Sequence, residues 1–166
     1  GLSLGMTQQL PNEDRHTAAR SFLINRLAIA MGGRAAELLV FGEETSGAGQ
    51  DIKMSTELAR KMVAQWGMSP LGPINLSQRE EMVFLGRELG TQHELSEYSS
   101  RRVDMEVKRL VLDAQDQATR IVTEHRDGLE RLARALLEKE TLDGTEIDAI
   151  LVNEVLVPSP EPGQAP

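Results

Sequence analysis

Few side chains in this 166-residue chain could take part in catalysis, and their spacing matters more than their number. Its histidines, His16, His93 and His125, lie far apart, and none has a Glu or His partner at ligand spacing on a helix. Metal-dependent hydrolysis needs neutral imidazoles and a carboxylate converging on one ion. The usual source is His-Glu-x-x-His, whose four-residue spacing puts both rings on one helix face. That motif does not occur here. Serine chemistry also fails, since there is no Gly-x-Ser-x-Gly elbow. Thr45 to Gly49 has the small residues of a phosphate loop but lacks the Gly-Lys-Ser/Thr ending that would hold a nucleotide. There is no cysteine, which excludes disulfides, thiolate metal sites and thiol nucleophiles. Two carboxylates stand out. Asp51 sits where a glycine-bearing polar loop gives way to a helical pattern, and reads first as the N-cap of the helix beginning at Ile52. Glu37 lies within an apolar helical run and reads as the partner of Arg34 three residues earlier.

The elements that must position these groups are mostly helices. With few aromatic residues, the core has to be built from Leu, Ile, Val, Met and Ala, which favours a mainly α fold. Leu2, Leu4 and Met6 alternate as a short N-terminal strand would. From Asn12 the pattern turns helical, with Leu23, Leu27, Ala30, Met31, Ala35, Leu38 and Leu39 on one stripe that ends at Gly42. Gly32 and Gly33 interrupt it, and paired mid-helix glycines imply either a kink or close backbone packing. A second helix follows Asp51 through Leu58, Met62 and Val63 and stops at Gly67. Residues 68–92, rich in Pro and Gly, read as an irregular crossing with a short strand at Met82 to Leu85.

The longest helix runs from Ser96 to about Glu124 on an apolar stripe that includes Val103, Val107, Leu110, Ala114 and Ala118. After a turn at His125 to Asp127, Leu129 to Leu137 suits a helix folded back on it, making a C-terminal hairpin. Asp143 and Glu146 form a capping pair for a last helix. Residues 152–166 hold four prolines and read as a disordered tail, leaving residues 1–151 as the domain. From Glu94 onward 16 acidic side chains face 9 basic ones, and no basic stripe is visible, so nucleic acid is excluded as a partner. No apolar run reaches the ~20 residues needed to span a bilayer, so these 166 residues are expected to be soluble.

Taken together, several segments resemble the FtsH family of ATP-dependent zinc proteases. Met31-Gly-Gly-Arg-Ala-Ala-Glu37 with the following Leu-Leu-Val-Phe-Gly42 is similar to the family's Gly-Gly-Arg-Ala-Ala-Glu-Glu-Leu-Val-Phe-Gly. Then come Ser46-Gly-Ala-Gly-Gln-Asp51, Leu58-Ala-Arg-Lys-Met-Val63, Gln65-Trp-Gly-Met68 and Leu71-Gly-Pro73. Val83-Phe-Leu-Gly-Arg87, Thr123-Glu-His-Arg126 and Leu136-Leu-Glu-Lys-Glu-Thr-Leu142 complete the series in family order. The chain departs from the pattern at Leu38, where the family often has a second Glu, and at Gly49-Gln50.

The resemblance implies a helical peptidase domain carried behind an ATP-binding AAA module. It implies a homo-hexamer whose parent is tethered to a membrane by N-terminal segments, with this domain in the cytoplasm or an organellar equivalent. Damaged or short-lived proteins, often membrane proteins, would be threaded through the ring and cut at zinc. Asp51 matches the family's aspartate ligand, while the two histidine ligands and the general-base Glu belong to a motif these residues lack. The 166 residues alone are therefore expected to be inactive. The strand at Leu2 to Met6 is a candidate edge for binding substrate as an added strand. The competing reading is a non-catalytic helical assembly or adaptor module, suggested by the missing motif and the long amphipathic helix.

Overall fold

The computed structural model describes residues 17–77 and 96–152. These form five α-helices, with no strand among the described residues. Helix α1 spans Arg20–Phe41, a 3-10 turn occupies Ser46–Ala48, and α2 spans Gly49–Arg60 and runs on as a wider π-type turn over Lys61–Gln65. Helices α3 (Glu97–Glu124), α4 (Arg126–Lys139) and α5 (Gly144–Val152) follow. The mainly α expectation holds. The N-terminal strand, the Met82 to Leu85 strand, Asn12, His16, His93 and the proline-rich tail all lie outside the described residues.

The core sits where α1, α2 and α3 meet. Leu23, Leu27, Met31 and Ala35 project from one side of α1 onto Ala59, Met62 and Val63 of the second helix and Val103, Val107, Leu110, Ala114 and Ala118 of α3. Their spacing of three, four and seven residues places them on one face of each helix, so docking the three faces removes all of them from water together. Ser96 caps α3 by accepting the N–H of Ser99 at 3.2 Å. Two polar contacts fix the packing from outside. Arg60 pairs with Asp104 at 2.8 Å, and Arg20 Nε donates to the carbonyl of Met68 at 3.1 Å.

Both left-handed glycines after α1 and α2 act as the stops expected of them. Gly42 (φ 69°) donates back to Leu38 O. Gly67 (φ 61°) ends the second helix, and any Cβ there would lie 2.7 Å from Pro73 Cα, so the turn back to Leu76 admits only glycine.

Four local expectations are corrected. Thr17 to Ala19 are not helical, so α1 starts at Arg20 with no side-chain cap rather than running on from Asn12. Gly32 and Gly33 do not divide α1, which runs on through them, and a Cβ at either would meet nothing within 4 Å among the described residues. The break after α3 is one residue, His125, not three. The apolar stripe of α3 is covered by α1 and α2 rather than by α4, because those two helices together present a longer apolar face. Helix α4 packs instead with α5 to form the C-terminal helical pair.

Candidate functional site

The carboxylates singled out by the sequence are joined by the connection between α1 and α2. Arg34 and Glu37 lie one turn apart near the C-terminal end of α1, both half-buried. Gly42 turns the chain back over that turn, bringing residues 43–45 alongside it. Arg34 does not pair with Glu37 as its spacing suggested. Its guanidinium binds Glu44, and Glu37 Oε2 accepts the hydroxyl hydrogen of Thr45 at 2.9 Å. The same Thr45 oxygen accepts the backbone N–H of Gly47 at 3.1 Å and so caps the 3-10 turn. Ala48 is buried beneath the turn, and α2 begins at the next residue.

Asp51 is therefore the third residue of α2, not its N-cap; the cap position belongs to Ala48, which offers no side-chain bond. As an anion in the first turn, Asp51 is favoured by the unpaired N–H groups and the dipole at that end. Its side chain is half-exposed. A carboxylate so placed suits an oxygen ligand to a cation, but one donor is not a site, since zinc centres in proteins use three or four protein ligands. Among the described residues no group of three or more His, Cys, Asp or Glu could hold a metal ion. His125, the one described histidine, stands at the junction of α3 and α4, where its backbone N–H donates to Ile121 O. The described residues thus fit zinc only in part, supplying one oxygen donor.

Sequence reasoning missed the Glu37–Thr45–Gly47 chain. The signal was present as a threonine just before a Ser-Gly-Ala-Gly run, a hydroxyl able to cap it, but nothing in the spacing connected that hydroxyl to α1. A groove of about 400 Å³ lies between α1 and α3, lined by Ala28, Ile29, Gly32, Ala118, Ile121 and Val122 among others. It carries no ionisable group and so no acid–base chemistry.

The described residues are helical, with one carboxylate held in the first turn of the second helix. A model of peptidase family M41 matches residues 1–150, and the chain belongs to that family. It is 51% identical over 153 residues to the ATP-dependent zinc metalloprotease FtsH 4 of Sorangium cellulosum, covering 91% of this chain and 24% of the relative. It is 43% identical over 158 residues to the FtsH metalloprotease of Acidobacterium capsulatum, covering 95% of this chain and 25% of the relative. The FtsH metalloprotease of Kosmotoga olearia is 47% identical over 150 residues, 90% of this chain and 23% of the relative. The chain spans about a quarter of the length of these curated relatives. No described helix is long and apolar enough to cross a membrane.

Proposed function

We propose that these residues form part of the peptidase domain of an ATP-dependent zinc metalloendopeptidase, with Asp51 as the aspartate ligand. The match to peptidase family M41 across residues 1–150 carries this reading. The position of Asp51 supports it: the carboxylate belongs to the first turn of a helix whose core residues, Ala59 and Met62, are fully buried. A ligand on so anchored an element keeps its direction when others complete the set.

In this reading two histidines and the general-base glutamate come from a His-Glu-x-x-His segment outside the 166 residues, and ATP is bound by a separate AAA module. Zinc, when bound, supplies the Lewis acid needed for peptide hydrolysis. This chain's own part is to hold Asp51 and to build the helical body behind it. The substrates are proteins, including membrane proteins, and the complete protein works as a homo-hexamer anchored in a membrane by other segments, with this domain in the cytoplasm or its organellar equivalent. Residues 1–151 make the domain and residues 152–166 a tail.

Asp51→Asn in the full-length protein tests the assignment. The neutral amide is a poor zinc ligand, so proteolysis of casein should be abolished while ATP hydrolysis persists, and the 166 residues alone should neither retain stoichiometric zinc nor cleave casein. Unchanged proteolysis by the Asp51→Asn protein would remove this residue from the site.

A further inference from the structure

One hydroxyl in the core has no partner. Ser55 of α2 is 2% exposed, and its Oγ is buried without a hydrogen bond. A buried polar atom left unpaired costs free energy, and a helix offers a simple remedy: donation to the carbonyl one turn back. Thr56, Thr119 and Thr123 all take it, at 2.8, 2.9 and 2.7 Å. Ser55 makes no such bond to the carbonyl of Asp51.

Packing explains why this position is small but not why it is polar. Ser55 is in register with Ala59 and Met62, the buried side of the second helix. Alanine would fill the same place without an unpaired hydroxyl. The register also runs back one turn, to Asp51. Residues four apart share a helix face with their Cβ atoms about 5–6 Å apart, and each Cα–Cβ bond tilts toward the N-terminus. Ser55 therefore leans over the turn that carries Asp51, and a hydroxyl and a carboxylate together bridge a gap of that size. The Asp51 carboxylate is half-exposed and has no hydrogen-bond partner among the described residues. Two polar groups one turn apart thus each lack a partner.

We infer that Ser55 is a positioning residue for Asp51: its hydroxyl donates to the carboxylate oxygen that does not bind the metal, and so fixes the direction in which the other oxygen points. This rests on the reading of Asp51 as a zinc ligand. Ligating carboxylates are hydrogen-bonded in turn, and loss of such a partner typically costs about 10- to 100-fold in metal affinity or activity. A serine hydroxyl rotates to suit its acceptor, and in a water-poor interior the bond it gives a carboxylate is stronger than it would be in water.

The experiment measures zinc affinity of the full-length protein by competition with a fluorescent chelator, beside proteolysis, ATP hydrolysis and thermal midpoint. Ser55→Ala removes an unpaired buried hydroxyl, so its thermal midpoint should be equal to or above that of the wild type. Its zinc affinity should nonetheless fall about tenfold, with kcat lowered, KM little changed and ATP hydrolysis intact. Ser55→Thr should give the opposite pattern. The added methyl crowds a packed site and lowers the midpoint, while the retained hydroxyl keeps zinc affinity close to wild type. A residue that only fills space would move affinity and midpoint together.

Wild-type zinc affinity in Ser55→Ala would overturn the inference, as would equal losses of affinity in Ser55→Ala and Ser55→Thr. Asp51→Asn is measured in parallel. If it loses zinc while Ser55→Ala keeps it, the positioning role alone fails; if Asp51→Asn itself keeps zinc, the ligand assignment fails and takes this inference with it.

Discussion

The α1–α2–α3 body and the α4–α5 pair are both helical, yet they are held together by different forces. In the body, Leu27, Met62, Val63 and Ala59 are at most 1% exposed, and α3 adds five buried positions. In the pair, Gly128 is the one buried residue of α4, α5 has none, and Leu137 is 85% exposed. Leu129, Leu132, Ile147 and Ile150 are only half-buried, and polar contacts add to them. Asp143 and Glu146 cap α5 reciprocally, with Glu146 N to Asp143 Oδ1 at 2.9 Å and Asp143 N to Glu146 Oε2 at 3.1 Å. Lys139 reaches across to Glu146, and Arg131 Nε donates to Ile150 O at 3.2 Å. Burial of apolar area is insensitive to pH, whereas caps and exposed ion pairs are not, so the two parts should respond to different perturbations.

The largest effect is expected in the body. Met62→Ala leaves a void at the contact of three helices and should cost about 2–5 kcal/mol, read as a lower denaturant midpoint for the whole chain. A loss below about 1 kcal/mol would mean that the site collapses freely and that the body is less tightly packed than its burial suggests.

A smaller change of opposite sign should follow from Gly32→Ala and Gly33→Ala. Both residues are helical and a methyl at either meets no described atom within 4 Å, so each should stabilise the 166-residue chain by about 1 kcal/mol through helix propensity. Destabilisation would show that a neighbour approaches α1 there, as the paired glycines first suggested.

The smallest effect belongs to the α4–α5 pair and depends on pH. The Lys139 ammonium, and then the backbone N–H of Asp143, hold the Glu146 carboxyl below its ordinary range, while Glu146 raises Lys139 above its own. Because the carboxyl is depressed in the folded state, its contribution is present above the usual glutamate value of about 4.3 and is lost as pH falls through the folded value. The raised lysine contributes below its usual value of about 10.4 and loses that contribution as pH rises through the higher folded value. Amide exchange in α5 should therefore accelerate in acid, below about pH 4, before exchange in α1 or α3 changes. Asp143→Ala should produce the same local loosening at neutral pH, about 1 kcal/mol, with no change in the body. Simultaneous release of α5 and α3 would erase the distinction between the two regions.

The sequence by itself determined the helices whose apolar residues recur at helical spacing. Val103, Val107, Leu110, Ala114 and Ala118 had to share a face, and they are the buried residues of α3. The stops at Gly42 and Gly67 and the Asp143–Glu146 cap were equally legible, because each depends on the conformational freedom or reach of residues only a few positions apart. The motif series was legible too, and with it the family and the candidacy of Asp51.

Tertiary structure alone decided what those local signals meet. Ile121 belongs to the same apparent stripe as Ala118, yet it is 47% exposed beside the α1–α3 groove, since burial depends on where the neighbouring helix ends. Arg34 and Glu37 could satisfy each other within α1, but they bind Glu44 and Thr45 instead. Such alternatives differ by fractions of a kcal/mol at a partly exposed helix surface. The path of the chain after Gly42, set by the docking of α2 on α1 and α3, is what selects between them.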